Sequence, residues 1–318
     1  MSMHIPASGA AEKADPIASG PQREWLSDFV FRLHGLNRHS TNLSILKYYD
    51  FQGFLITGQN SGTHWIKWML SHALAHRYGV EPPRYFNNDS SNDLIGHPKH
   101  ARIHPRLPRI ASSHSIPPFA LDWRWLRAVR RPPPYAVVVR DLRDVLVSHY
   151  EKWREDYRVP FSRYVEGDPR GAAFSCDVWW YMRFMNRWGE IAARYPGETL
   201  VLRYEDFRRE PMDNLGRLAR HFGLDLSQRD LLAGVAVGSK EHMITRQDPA
   251  IRERPIRLDG AQGARFSAAD LAVLRRLLDR NLKHDFGYPY LSAPRGYQIG
   301  GRAEAGRGRG RSAVPSVA

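Results

Sequence analysis

A run of small and polar residues from Gly58 to Thr63 has the composition of an anion-binding loop. It follows an apolar segment and precedes apolar residues at helical spacing, so the loop would lie at the start of a helix. Backbone N–H groups and the helix dipole make such a start an anion site without any side chain. Thr63 follows Gly62 where a Walker A loop has lysine, so the run is not that motif. The loop alone indicates an anion site, and a simple reversal of the chain is the alternative.

An arginine follows a second apolar segment, residues 136–139, and a serine comes two helical turns later. Arg140 would therefore lie beyond the carboxyl end of a strand, which is where parallel sheets bind ligands. The alternative is a structural ion pair between Arg140 and Asp141 or Asp144. Together with Ser148, this second pattern strengthens the prediction of an anion site.

Three short apolar segments are predicted strands, and each precedes a predicted helix. The strands are 54–57, 136–139 and 200–203, and the helices are 63–78, 141–153 and one from Pro211 to just before Gly223. This alternation is typical of a parallel sheet flanked by helices. We therefore predict an α/β fold over about residues 23–292, a single P-loop-like domain with a central parallel sheet flanked by helices.

Two more helices are predicted outside these three units. One is amphipathic, because apolar residues recur every three or four positions from Phe174 to Ile191, and we interpret its aromatic side chains as core. The other begins at Ser267, which forms a capping-box pattern with Asp270. Both helices are expected to be structural.

The composition favours anionic partners and a globular body with loose ends. The 318 residues carry a formal net charge of +14, and 42% of them are hydrophobic, which is enough for a substantial core. Residues 1–22 and the Arg/Gly-rich residues 293–318 are expected to be disordered. A single cysteine, Cys176, excludes an internal disulfide. No signal peptide and no apolar stretch of about 20 residues is found, so we expect a cytoplasmic protein without a membrane span.

Several motifs, in the same order along the chain, resemble those of the sulfotransferases that use 3′-phosphoadenosine 5′-phosphosulfate (PAPS). Residues 60–65, Asn-Ser-Gly-Thr-His-Trp, resemble the family's Lys-Ser-Gly-Thr-Thr-Trp loop. Arg140, Arg143-Asp144 and Ser148 are similar to its 3′-phosphate segment. Residues 204–206, Tyr-Glu-Asp, resemble a third family motif, so the similarity spans residues 54–223.

This resemblance implies transfer of a sulfuryl group from PAPS to a hydroxyl or amine, without a metal. His114, which follows Ser112 and Ser113, stands at the place of the family's catalytic histidine and would be the general base. The implied nucleotide contacts are Ser61, Gly62, Thr63 and His64 for the 5′-phosphosulfate, Arg140 and Ser148 for the 3′-phosphate, and Trp65 and Tyr204 for the adenine.

The chain departs from the family pattern at the residue that stabilises the leaving nucleotide. Asn60 replaces the family's lysine, and it can donate a hydrogen bond but brings no positive charge. Lys67, four residues after Thr63 on the same helix face, is one candidate replacement, and an exposed helix lysine is the alternative. His64 is a second candidate, and reduced or lost activity is the third possibility.

A later family segment is matched only in part. Residues 257–263 keep two glycines, and Arg257 and Gly260 are the predicted phosphate contacts there. Asp259 stands where a lysine would help to bind the phosphates, and Phe266 stands where the family has tryptophan. This segment carries less of the resemblance than the three motifs before it.

Other residues suggest alternative functions. His97, His100 and His104 suggest a metal site, but no carboxylate or cysteine joins them, and a basic acceptor lid is the preferred interpretation. The Arg-Gly tail suggests weak nucleic-acid contact, and a non-catalytic PAPS-binding relative is a further alternative. The acceptor, a small molecule, lipid or sugar, would be selected by loops 81–108 and 154–173. The oligomeric state is not predicted.

Overall fold

Within the residues that the structure describes, five short strands form a central sheet. This computed structural model describes residues 21–39, 50–86, 91–96, 101–248 and 266–290. The strands are β1 (Gly53–Thr57), β2 (Ile95–Gly96), β3 (Ile110–Ser113), β4 (Tyr135–Val139) and β5 (Thr199–Arg203). Their order is β2-β3-β1-β4-β5, and each neighbouring pair is parallel. The predicted α/β fold with a central parallel sheet is confirmed.

Helices make up most of the connections between these strands. The longer ones are α1 (Pro21–His39), α2 (Thr63–Tyr78), α4 (Leu142–Tyr157), α6 (Val178–Arg194), α8 (Pro211–His221) and α11 (Ala268–Asn281). The shorter ones are α3 (Arg124–Val129), α5 (Phe161–Glu166), α7 (Tyr204–Arg209), α9 (Gln228–Ala236), α10 (Lys240–Thr245) and a 3-10 turn (Phe119–Asp122).

The sheet is buried on both faces, which explains why its central strands lack polar alternation. Val137 of β4 belongs to an apolar cluster that includes Trp188 of α6. Its neighbour Val138 belongs to a second cluster, which includes Ile66 of α2. Successive strand residues point to opposite faces, so an apolar residue at every position is what a doubly covered strand requires.

The elements with strong local signals have the predicted bounds. Helix α2 begins at Thr63 and ends at Tyr78, where Gly79 has a left-handed φ of 63° and donates its N–H to the Ala75 carbonyl. At α11 the Ser267 hydroxyl accepts the Asp270 N–H at 3.1 Å, and the Asp270 carboxylate accepts the Ser267 N–H at 2.9 Å. The predicted capping box is therefore confirmed.

Other predicted bounds are wrong, each for a local reason. Strands β2 and β3 are not among the predicted strands, because β2 has two residues and β3 has only two apolar ones. Helix α6 begins at Val178 and not at Phe174, because the Asp177 carboxylate caps it by accepting the Trp180 N–H at 3.0 Å. Helix α4 runs on to Tyr157, and α5 follows, so residues 154–173 are partly helical rather than one loop.

Helix α1 is not predicted from the sequence and lies at the start of the described chain. Phe31 is buried, with its ring centroid 5.1 Å from that of Trp179 on α6. Asp28 accepts hydrogen bonds from Arg280 at 2.5 Å and from Asn281 at 2.9 Å. These contacts attach α1 to α6 and α11.

The two chain ends, residues 1–20 and 291–318, lie outside the described residues. Their predicted disorder, the role of the Arg-Gly tail and the predicted domain limits therefore stay predictions. Within the described ranges, no helix is both long enough and apolar enough to cross a bilayer.

Packing of α9 on α2 supports the helix that begins at the Gly58–Thr63 loop, and Gly234 makes this packing possible. A Cβ atom at Gly234 would lie 2.4 Å from the Met69 carbonyl oxygen, so Gly234→Ala should lower the free energy of unfolding by about 2 kcal/mol. Denaturant unfolding is the measurement.

Gly216 on α8 is the matched control for this substitution. A Cβ there meets only the end of the flexible Arg220 side chain at 3.3 Å and Leu231 at 3.6 Å, so Gly216→Ala should leave stability unchanged or raise it by up to about 1 kcal/mol. Equal effects of the two substitutions would contradict the packing argument.

Candidate active site

The carboxyl ends of four parallel strands meet at one edge of the sheet, and the predicted site residues follow them directly. Register pairs Ile56 with Ser113 and Thr57 with Val138, so β3, β1 and β4 end level with one another. Val139 pairs with Arg203, which brings the end of β5 to the same edge. The first residues after these strands are Gly58, His114, Arg140 and Tyr204.

The loop between β1 and α2 has a backbone that only certain residues tolerate. Asn60 has a φ of 54° and Gly62 a φ of 84°, both in the left-handed region. A Cβ at Gly62 would lie 2.6 Å from the Tyr204 ring, so this position requires glycine for space as well as for φ. The Ser61 N–H donates to the Gly58 carbonyl at 3.2 Å, and the Tyr181 hydroxyl donates to the Gln59 carbonyl.

The loop ends in a helix start that offers N–H donors. The Ile66 N–H donates to the Gly62 carbonyl at 3.0 Å, and Gly62 provides no side-chain cap. The N–H groups of the first helical turn, Thr63 to Trp65, have no carbonyl acceptor within the helix itself. This arrangement suits an anion, as the sequence predicts.

Thr57, the last residue of β1, connects this loop to His114. The Oγ1 atoms of Thr57 and Thr63 are 2.5 Å apart and share a hydrogen bond. The Thr57 carbonyl lies 2.8 Å from His114 Nδ1, and because a carbonyl only accepts, Nδ1 carries the proton and donates. The other ring nitrogen, Nε2, then holds the lone pair in neutral His114. Nε2 is therefore the atom that can accept a proton.

The surroundings keep His114 neutral at physiological pH. Nearby protein atoms lower its pKa below 6.5 by desolvation, and the positive charges of Lys152 and Lys67 lower it further, although the bond to Thr57 opposes them. The residue as a whole is exposed to solvent, although protein atoms surround the imidazole closely enough to disfavour its charge. An accessible, neutral imidazole is the form that a general base requires.

Arg140 contacts the Gly58–Thr63 loop, and its Nε donor is not used within the described chain. Its Nη1 donates to the Asn60 carbonyl at 2.8 Å, and its guanidinium carbon lies 4.6 Å from the centroid of the Tyr204 ring. Nε is buried and has no hydrogen-bond partner among the described residues. A buried unpaired donor carries a free-energy penalty, which an anionic ligand would remove.

The structural ion pair considered for Arg140 is weak. Asp144 lies 3.7 Å from Arg140 Nη2, beyond hydrogen-bond distance, and Asp141 is instead 2.6 Å from Arg143 Nη2. Burial raises the pKa of Asp144 even with Arg140 nearby. Neither aspartate therefore forms a hydrogen-bonded ion pair with the Arg140 guanidinium.

Two aromatic side chains flank the same loop. The ring centroids of Trp65 and Tyr204 are 5.8 Å apart, at an interplanar angle of 74°. Trp65 Nε1 donates to the Gly238 carbonyl at 2.7 Å, which orients the indole. Both side chains are half-buried, as are His64 at the start of α2 and Ser148 on α4.

Asn60, at the family's lysine position, and Lys67, one candidate replacement, have different surroundings. Asn60 Nδ2 lies 3.1 Å from His149 Nδ1. Lys67 is buried, with only 3% of its surface exposed, which excludes the exposed helix lysine considered from the sequence. Its Nζ donates to Asn92 Oδ1 at 2.6 Å, and its positive charge contributes to the lowered pKa of His114.

Some contacts around the site were not predicted from the sequence. Thr57 could have been found, because it is the last residue of a predicted strand and precedes the loop. Glu205 lies in the Tyr-Glu-Asp motif and accepts the Asp141 N–H at 3.0 Å and the Tyr288 hydroxyl at 2.5 Å. Tyr181 and His149 have no local signal, because their partners in the loop are far away along the chain.

Some predicted site residues lie outside the described chain. These are Arg257 and Gly260, together with His97 and His100 of the histidine group considered as a metal site. In the ranges that the structure does describe, no group of three or more His, Cys, Asp or Glu side chains is placed to hold a metal ion.

Fold and site together define the class: an α/β protein of the P-loop-like kind, with the Gly58–Thr63 loop after the central strand and a histidine after the neighbouring one. The family model described as "Sulfotransferase domain" matches residues 50–248 of this chain. The protein belongs to the sulfotransferase family.

Individual relatives are similar over different lengths. A "Flavonol sulfotransferase-like" protein of Flaveria bidentis is 29% identical over 103 residues, which cover 31% of this chain and 32% of that protein. The match thus spans about a third of the relative.

Solved structures share the fold at low identity. Retinol dehydratase in a complex with retinol and PAP has a TM-score of 0.52 and 19% identity, covering 81% of this chain and 88% of its own. The same enzyme with androsterone and the inactive cofactor PAP has a TM-score of 0.51 and 18% identity, covering 83% and 88%.

The neutral state of His114 can be tested directly. Histidine NMR in the ligand-free protein should give a His114 pKa below 6.5, because desolvation and two lysines disfavour the imidazolium. Lys152→Gln should raise this pKa, since it removes one of the opposing charges. Lys283→Gln, which removes a lysine paired with Glu190, should not change it. A His114 pKa above 6.5 would contradict the described surroundings.

Proposed function

We propose that this protein transfers the sulfuryl group of PAPS to a hydroxyl or amine of a small-molecule, lipid or sugar acceptor. One observation carries the proposal: Thr57 contacts both the first residue of the anion-loop helix, Thr63, and the candidate base, His114. This contact supports the proposal, because it would hold an anion site and a proton acceptor side by side. Membership of the sulfotransferase family supports the same activity.

The residues present fit the nucleotide. Ser61, Gly62, Thr63 and His64 would hold the 5′-phosphosulfate, and Arg140 and Ser148 would hold the 3′-phosphate. Arg140 Nε is buried without a partner in the described chain, and a phosphate oxygen would supply one. Trp65 and Tyr204 would contact the adenine. Arg257 and Gly260 remain predicted contacts.

The chemistry requires little beyond positioning and one proton transfer. PAPS supplies an activated sulfuryl group with a good leaving phosphate. His114 Nε2 would take the acceptor proton while the acceptor oxygen or nitrogen forms a bond to sulfur and the bond between sulfur and the 5′-phosphate oxygen breaks. The N–H groups at the start of α2 would bind the leaving phosphate, so PAP departs as the anion.

Two nearby side chains would share the role of the family's lysine, which supplies both a hydrogen bond and a positive charge. Asn60 would donate a hydrogen bond at the lysine position, and the Lys67 ammonium would add positive charge from the side of α2. His64 is a further donor in the first turn of this helix. The replacement of lysine by Asn60 also favours one alternative, a protein that binds PAP without turnover, and the assays below separate the two.

Nucleotide preference tests the phosphate site. The unmodified protein should bind adenosine 3′,5′-bisphosphate (PAP) at least about 100-fold more tightly than AMP, because a charge-assisted contact at a buried site contributes about 3 kcal/mol. Arg140→Ala should remove most of this preference in calorimetric titrations.

Arg77→Ala is the control, because it removes the same charge from the far end of α2, where Arg77 pairs with Asp225. It should preserve the preference for PAP. Equal affinities of the unmodified protein for PAP and AMP would contradict the proposed nucleotide.

Substitution of the base tests catalysis. His114→Asn should lower turnover of PAPS about 10³-fold and leave PAP affinity within about threefold, because proton transfer contributes roughly this factor. His221→Asn is the control, since His221 also bonds a carbonyl, that of Tyr135, but at the opposite edge of the sheet. Release of PAP in the presence of an acceptor panel is the measurement. PAP binding without turnover in the unmodified protein would favour the non-catalytic alternative.

The pH profile gives an independent check on His114. A base works only when deprotonated, so kcat/KM should rise with pH to a plateau, with its midpoint below 6.5 because the pKa of His114 is lowered. The His114→Asn variant should lose this rise of kcat/KM with pH. If kcat/KM of the variant still rises with the same midpoint pH, His114 is excluded as the titrating group.

A further inference from the structure

His149 is buried next to the Gly58–Thr63 loop and has no role in the chemistry proposed above. The residue follows Ser148 on α4 and has 0% of its surface exposed. Its Nδ1 lies 3.1 Å from Asn60 Nδ2, and its Nε2 lies 2.8 Å from the Tyr157 hydroxyl and 3.3 Å from Ser175 Oγ. Both ring nitrogens therefore have partners.

The hydrogen-bond directions in this cluster follow from the donor properties of its members. Asn60 Nδ2 only donates, so His149 Nδ1 accepts and the ring proton is on Nε2. The Nε2–H donates to the Tyr157 oxygen, which also accepts the Ser175 N–H at 3.2 Å. The Tyr157 hydroxyl then donates to Ser175 Oγ at 2.7 Å. One consistent chain of donors runs from Asn60 to Ser175.

The environment of His149 preserves this tautomer. Burial, with a smaller contribution from the charge of Lys152, lowers the pKa of His149 to about 3, so the ring is neutral at physiological pH. The Tyr164 ring is nearly parallel to the imidazole, at 13° with centroids 6.2 Å apart, which restricts ring rotation. Nδ1 thus remains an acceptor aimed at Asn60.

Both the backbone and the side chain of Asn60 are therefore held in place. Its backbone is in the left-handed region at φ 54°, and its carbonyl accepts from Arg140 Nη1 at 2.8 Å. Its amide nitrogen carries two hydrogens, and His149 takes one of them. Orientation of this amide matters, because the opposite rotamer would present Oδ1, an acceptor, to an anion in the loop.

We propose that His149 is a positioning residue that holds the Asn60 amide with its second N–H toward the group bound at the loop, so that an oriented neutral donor replaces the family's lysine. This inference rests on the proposed function. Because His149 Nδ1 can only accept, it favours the Asn60 rotamer that turns the NH₂ group, and not Oδ1, toward His149. The Tyr157–Ser175 pair in turn favours the His149 tautomer with the proton on Nε2, which leaves Nδ1 as an acceptor. Asn60 would then act on the charge that develops on the leaving phosphate.

Kinetics separate this role from simple packing. His149→Phe keeps an aromatic ring next to Tyr164 but removes the acceptor, so kcat should fall about 10- to 100-fold while PAP affinity stays within about threefold, as for loss of one donor to the transition state. His149→Gln should recover part of the loss, since its Oε1 can accept from Asn60. The rate is measured as PAP release from PAPS, with water or 4-nitrophenol as acceptor.

A double-mutant cycle tests whether His149 acts through Asn60. Asn60→Ala should lower kcat by a similar factor, and the double variant Asn60→Ala with His149→Phe should be no slower than Asn60→Ala alone. Losses that multiply, or a His149→Phe variant with unchanged kcat, would overturn the inference.

NMR of the ligand-free protein decides the geometry without turnover. The ring nitrogens of His149 should show protonated Nε2 and unprotonated Nδ1, and the Asn60 side-chain amide should shift in His149→Phe. Protonated Nδ1 in the unmodified protein would overturn the inference. The proposed function fails separately, if the unmodified protein does not prefer PAP over AMP or does not release PAP from PAPS. The NMR result would still decide whether the Asn60–His149 contact exists.

Discussion

Parallel pairing of β3, β1, β4 and β5 determines where the chemistry of this protein can lie. Strands that run in one direction and end level with one another bring their following residues to one edge. The chain supplies a different group at each end: the Gly58–Thr63 loop, His114, Arg140 and Tyr204. Because β1 lies between β3 and β4, the loop is flanked by His114 on one side and Arg140 on the other.

The loops at this edge are stabilised by the far end of the described chain. Glu205 bonds both the Asp141 N–H and the Tyr288 hydroxyl, and the Tyr290 hydroxyl lies 2.5 Å from the Leu142 N–H. The segment after α11 therefore connects the loops that follow β4 and β5. Such buried polar contacts restrict the loops while the apolar clusters stabilise the sheet.

Charge and neutrality are balanced in a consistent way around the site. Lys67, Lys152 and Arg140 bring positive charge to this region, and the two lysines add to the desolvation that lowers the pKa of His114. The same logic applies to His149, whose burial keeps it neutral and therefore able to accept from Asn60.

The sequence by itself determined those features that depend on neighbouring residues. The bounds of α2, the capping box at Ser267, the three longer strands and the position of Arg140 after a strand all follow from local periodicity, caps and turns. Only the tertiary structure decided the contacts of Thr57 with His114, of Asn60 with His149 and of Phe31 with Trp179. These join residues far apart in the chain, and their geometry depends on strand register and helix packing, which no local pattern encodes.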